Sequence, residues 1–276
     1  MNRFRLWRRH IALPADHGSW VFLLSPLIIG LAGGGRLSIV TVYLVVASLA
    51  GFLARQPLTI AIKALSGRRS REELPVALLW TAVYGGIAAA HVAGLVVRGF
   101  GYVLLLAIPG AIVFAWYLLL VSRRTERRQL GLELAATGAL ALSAPAAYWI
   151  GRGAPLPFGW LLWLLVWAQS AASIVYVYLR LVQREWKSVP PPAKRWRAGG
   201  AALTFSAMNF VAVLALALGQ IVSFWLTAPF LIQTAETVWG TLHPCAGWKP
   251  RAIGLRQLAV SALFTVLFVA GWYAGV

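Results

Sequence analysis

The chain has 276 residues, of which 60% are hydrophobic and 12% charged, with a net charge of +18. About 25% of the residues of a soluble domain are charged, so this chain cannot cover a water-soluble globule of its size, and lipid must be the solvent for most of its surface. The basic residues fall in short clusters between apolar runs, which points to membrane topology rather than to nucleic acid, and the one cysteine, Cys245, excludes an intrachain disulfide and a Cys/His metal framework.

A basic leader, residues 1–17, opens the chain with MNRFRLWRRH. The apolar run after it is long and no small-x-small cleavage site ends it, so it reads as an uncleaved first span rather than a signal peptide. Crossing the hydrocarbon core takes about 20 mostly apolar residues. Nine stretches qualify: about 18–35, 37–54, 75–97, 100–121, 130–150, 158–180, 200–218, 221–239 and 257–275. The seventh and eighth are cut from one long stretch at Gly219-Gln220. Backbone groups in lipid must bond internally, and these runs are continuously apolar rather than alternating, so a closed barrel is excluded. The expectation is a single all-α polytopic bundle, with "VPPPAK" (189–194) as a stiff extended linker inside it.

All but three of the 25 Lys and Arg residues fall on one side of this threading; the exceptions are Arg36, Arg98 and Arg152. The positive-inside rule then places the N-terminus in the cytoplasm and the C-terminus outside, in a cytoplasmic membrane of the bacterial type. Several Trp residues near span ends, Trp20 and Trp160 among them, read as an interfacial belt.

Acids are scarce: Asp16, Glu72, Glu73, Glu126, Glu133, Glu185 and Glu236. Glu72, Glu73, Glu126 and Glu185 stand beside Arg or Lys and read as surface pairs. Glu133 and Glu236 fall within or at the edge of spans, where an ionisable side chain is a candidate functional group. Gln169, Asn209 and Gln233 at membrane depth read as interhelical hydrogen-bonding groups. His91 has no acid on its own helix face to complete a proton relay. No P-loop, GxSxG or HExxH is present.

"PADHGSW" (14–20) resembles the P-x-[D/E]-H-G-x-W signature of YwiC-like membrane proteins. "RQP" (55–57), "YVYLRLVQRE" (176–185) and "KPRAIGLRQ" (249–257) extend the resemblance over nearly the whole chain. A more distant resemblance, carried by "YLLLVSRRTERRQLG" (117–131), is to the UbiA-type intramembrane prenyltransferases. It implies a nine-helix bundle with a cytoplasmic N-terminus. Those enzymes hold magnesium and a diphosphate on two Asp-rich motifs; the matching regions here, 52–69 and 169–185, contain only Glu185. The fold is therefore implied, whereas that metal chemistry is not, and no cofactor or metal is expected.

Three functional readings follow. In the first, the protein binds or transports an anionic or lipid-like small molecule in a cytoplasm-facing cavity. Arg55, Arg124, Arg180 and Glu236 are the candidate ligand-binding residues, because guanidinium grips phosphate or carboxylate without a metal. In the second it is a divergent membrane enzyme, with Asp16 and His17 as the candidate catalytic pair at a helix start. In the third it is a structural or assembly factor. Membrane lipids are the expected surroundings, nucleic acid is not an expected partner, and the oligomeric state is not legible.

Overall fold

The computed structural model describes residues 9–14, 18–125 and 129–275. Asp16 and His17 lie outside the described residues, as does Glu126. A short helix α1 (Arg9–Ala12) precedes α2 (Val21–Gly34), α3 (Ile39–Leu65), α4 (Leu74–Val97) and α5 (Ala107–Ser122). Then come α6 (Leu130–Ala141), α7 (Ser143–Arg152), α8 (Phe158–Gln183), α9 (Pro192–Leu218), α10 (Thr227–Leu242) and α11 (Pro250–Tyr273). Each of the nine apolar stretches carries helix. Among the described residues, seven helical segments are long and apolar enough to cross a membrane. α2, at 14 residues, and α10, at 16, are shorter; at 1.5 Å per residue they fall below the ~30 Å of a hydrocarbon core. The protein is a multi-pass, all-helical membrane protein.

Local chemistry sets most helix ends. Proline, which needs no intrahelical partner for its nitrogen and has its φ already set, starts α4, α9 and α11. Left-handed glycines end α2 (Gly35, φ 73°) and α7 (Gly153, φ 78°). Ser38 caps α3, with its side chain and that of Thr41 bonding reciprocally to each other's backbone. The fifth stretch breaks at Leu142 into α6 and α7, because Pro145 has no N–H to offer the Ala141 carbonyl.

Two stretches differ from the sequence reading. α3 does not stop at 54 but runs through Pro57 to Leu65, so Arg55 sits on a helix wall and not in a loop. α9 begins at Pro192, so the residues read as an extended linker are helical from their fourth position onward; Pro192 supplies the first helical φ.

Close packing relies on small residues, as lipid-embedded helices require. α2 crosses α7 so tightly that a Cβ on Gly34 would stand 3.0 Å from the Gly151 Cα. The main core joins Leu27, Leu44, Leu95, Trp149, Leu162, Phe230 and Phe264. Contacts at the basic end tie neighbouring helix ends together: Arg68 Nη1 donates to Val121 O (2.6 Å), and Arg195 Nη1 to Leu242 O (2.6 Å). Glu73 is held there by Arg69 (3.0 Å) and His10 (3.1 Å).

Candidate functional site

A cavity of about 570 Å³ opens between α2, α3, α4, α5, α6 and α7. Helical periodicity explains its walls. Leu44, Ser48, Gly51, Phe52 and Arg55 fall on one face of α3 at spacings of 3 and 4, and Gly110, Val113, Phe114 and Tyr117 do the same on α5. α6 contributes Leu132, Glu133, Ala136 and Ala139. Gly51 and Gly110 line the space, and a Cβ on either would meet nothing within 4 Å, so missing side chains are part of what creates the room.

The lining is apolar except for Ser48, Arg55, Tyr117, Glu133 and Ser143. Arg55, Tyr117 and Glu133 all lie toward the basic end of their helices. The Arg55 guanidinium stacks 4.8 Å from the Phe52 ring centroid, and its Nη2 donates to Ser19 Oγ at 3.3 Å. Glu133 accepts a hydrogen bond from the Tyr178 hydroxyl at 2.9 Å. A polar mouth with both charge signs thus leads into an apolar interior.

A second, larger groove of about 740 Å³ adjoins the first and shares the walls Leu106, Val113, Ala139 and Leu142 with it. No charged residue lines it. Trp149, Trp160, Trp163 and Trp167 form its aromatic side, with Trp163 stacked on Trp167 at 5.0 Å. Three of the indoles have already committed their N–H groups: Trp149 donates to Leu156 O, Trp163 to Gly138 O and Trp167 to Leu134 O. Ring faces rather than polar edges therefore meet the groove. Trp160, read from sequence as part of an interfacial belt, is one of these walls.

Of the four candidate ligand-binding residues, only Arg55 lines the cavity. Arg124 lies in the exposed turn after α5 with φ 62°. Arg180 is 2% exposed, and its Nη1 donates to Gln183 Oε1 (2.8 Å), Gly240 O (2.6 Å) and His243 O (2.9 Å), at the C-terminal end of α10. Helix-terminal carbonyls carry partial negative charge, which a buried guanidinium satisfies. Beside it, Cys245 Sγ donates to Arg180 O at 3.1 Å, and burial pushes that thiol up from its ordinary value.

Glu236 belongs to another network. It takes a bidentate pair from Arg256, Nε to Oε1 at 2.6 Å and Nη2 to Oε2 at 2.8 Å, and accepts from the Tyr176 hydroxyl at 2.8 Å. Arg256 lies 4.0 Å from the Trp239 ring. Sequence reasoning flagged Glu236, but nothing in one chain marks Arg256, 20 residues on and on a facing helix, as its partner. Tyr117, Ser48 and the tryptophan wall were missed as site residues for the same reason.

The donor set does not suit a magnesium–diphosphate centre. The regions corresponding to the Asp-rich motifs present Arg55, Gln56, Tyr176, Arg180 and Gln183, and their one carboxylate, Glu185, is exposed beyond the end of α8. Among the described residues, no three His, Cys, Asp or Glu side chains group to hold a metal ion.

The helical architecture and its cavity define a membrane protein of the UbiA-like fold. The structure described as that of digeranylgeranylglyceryl phosphate synthase in membranes superposes with a TM-score of 0.54 at 10% identity, covering 92% of each chain. A UbiA homolog from Archaeoglobus fulgidus bound to Cd2+ gives a TM-score of 0.51 at 16% identity, over 93% of this chain and 96% of the other. At such identities the likeness concerns the fold alone. The family model described as YwiC-like protein matches residues 13–148, the segment that runs from "PADHGSW" through the cavity-forming helices. No curated protein sequence matches the chain.

Proposed function

We propose that the protein binds an amphipathic, lipid-like molecule, with an anionic head at Arg55 and an apolar tail between α3, α5 and α6. The observation behind this reading is the distribution of polarity in the 570 Å³ cavity: Arg55, Tyr117 and Glu133 stand at the basic end, and apart from Ser48 and Ser143 the rest of the lining is apolar. Binding sites of 300–1,000 Å³, mostly apolar with a few placed polar groups, are typical for small molecules. The guanidinium suits a phosphate or carboxylate, and Glu133 suits a hydroxyl or amine beside it. The positive-inside rule supports a cytoplasm-facing mouth, an N-terminus inside and a C-terminus outside.

The test uses the full chain in lipid nanodiscs with a phosphatidic acid that carries a diazirine in one acyl chain. Illumination and peptide mapping are expected to place adducts on Ala47, Phe114 or Ala136, and Arg55→Gln is expected to reduce them. Adducts confined to the outward faces of α4 and α9 would reject the reading.

A further inference from the structure

The second half of the bundle holds a buried polar layer that the cavity does not touch: no residue of α8, α10 or α11 lines the 570 Å³ space. Three side-chain pairings set the register there. Gln257 Nε2 donates to Ser173 Oγ, Glu236 pairs with Arg256, and the Phe230 and Phe264 rings meet edge to face at 5.0 Å. One helical turn from Ser173 along α8 is Gln169. One turn from Gln257 along α11 is Ser261. Gln233 lies on α10 between Phe230 and Glu236, so it faces the same stretch of α11. Helix geometry therefore brings Gln169, Gln233 and Ser261 to one level of the bundle.

Each of these three residues is 3% exposed. Gln169 Nε2, both amide atoms of Gln233 and Ser261 Oγ are buried without a hydrogen-bond partner in the protein. Asn209, by contrast, makes the interhelical bond that its position suggests, from Nδ2 to Ala168 O at 2.7 Å. Four unpaired polar atoms at one level of a lipid-embedded bundle carry a desolvation cost that natural interiors do not leave unmet.

The chemistry of the layer limits what can meet it. Two amide N–H₂ groups need an acceptor, and an amide oxygen needs a donor. A metal cation offers no acceptor. A water molecule both donates and accepts, and buried water typically makes about three such bonds.

We infer that Gln169, Gln233 and Ser261 form an internal hydration site, a small-molecule site separate from the lipid cavity. Phe230 and Phe264 close it on one side, each 1% exposed, and the equally buried Phe268 lies a further turn away along α11. On the other side, Ser173 and Gln257, then Tyr176, Glu236 and Arg256, form a polar path toward the basic end. The titratable groups facing that path are Tyr176 and Arg180 from α8, Glu236 from α10 and Arg256 from α11.

X-ray radiolytic footprinting of the full chain in nanodiscs tests the site, because hydroxyl radicals made from bound water oxidise the side chains next to it. Phe230 and Phe264 each lie three residues from the layer, about 4.5 Å along the helix, whereas Phe268 lies seven residues from Ser261, about 10 Å. In the wild type, Phe230 and Phe264 are expected to oxidise several-fold faster than the equally buried Phe268. The double variant Gln169→Leu/Gln233→Leu is expected to abolish that difference, and Ser261→Ala to reduce it if the double variant does not fold. Equal, slow oxidation of all three phenylalanines in the wild type overturns the inference. So does unchanged labelling of Phe230 and Phe264 in a folded double variant.

Discussion

Replacing Arg180 with Met separates a structural arginine from a ligand-binding one. Its Nη1 faces three acceptors but carries two hydrogens, so at most two full bonds are at stake. Gly240 O keeps a second donor, Gln183 Nε2 at 3.1 Å. The acceptors left unserved are therefore Gln183 Oε1 and His243 O. A hydrogen bond to a charged group contributes about 1.5–3 kcal/mol, so two amount to roughly 3–6 kcal/mol. Against this, Arg180 Nη2 is buried without a partner, and removing it returns about 1–3 kcal/mol. Taking the middle of each range, the net destabilisation comes to about 2.5 kcal/mol, which for a chain of this size lowers Tm by roughly 5–10 °C. Thermal unfolding of the purified protein in detergent, followed by circular dichroism, measures it. An unchanged Tm, together with loss of phosphatidic acid crosslinking, would refute this reasoning and return Arg180 to the ligand-binding role that its position in the sequence suggests.

Two further outcomes follow from the same structure. Gly51→Leu adds a side chain into open cavity space with no framework atom within 4 Å of its Cβ; it is expected to block acyl-chain crosslinking while leaving Tm unchanged or higher, and retained crosslinking would place the ligand elsewhere. Cys245 is 0% exposed, and burial holds its thiol above the ordinary 9.0. The folded state then keeps a proton that the unfolded state releases as pH rises through 9.0, so this contribution is fully present below that pH and is lost as pH climbs toward the folded value. Maleimide modification at pH 8 is expected to be slow in the folded protein and fast in dodecyl sulfate, and Tm is expected to fall more steeply above pH 9.0 in the wild type than in Cys245→Ala. Rapid modification of the folded protein would contradict the burial.

Much of the fold was legible because its signals are local. Apolar length marks a helix in lipid, and prolines and glycines mark its ends through their own backbone limits, as at Pro250 and Gly35. Where local signals competed, reading from sequence lost. Pro57 and its basic surroundings suggested a loop after residue 54, yet helical packing against α4 carries α3 through to Leu65. The three prolines at 190–192 suggested an extended linker, yet the last of them starts a helix. The site was legible only in outline. Arg55 and Arg180 both follow apolar runs near the basic end, and nothing local distinguishes them. Glu133 and Glu236 are equally alike in sequence, yet the first lines the cavity and the second is held by Arg256 and Tyr176.

The sequence by itself determined that this chain lives in a membrane, roughly where its helices run, which ends gather the positive charge, and that one aspartate cannot furnish two Asp-rich clusters. Those properties depend on composition and on spacings of a few residues. Only the tertiary structure decided which arginine faces a cavity and which caps a helix, and that two glutamines and a serine from three helices share one buried level. These depend on how helices rotate and cross, and residues 60 or more positions apart, such as Tyr176 and Glu236 or Gln169 and Ser261, acquire their meaning only when packing brings them together.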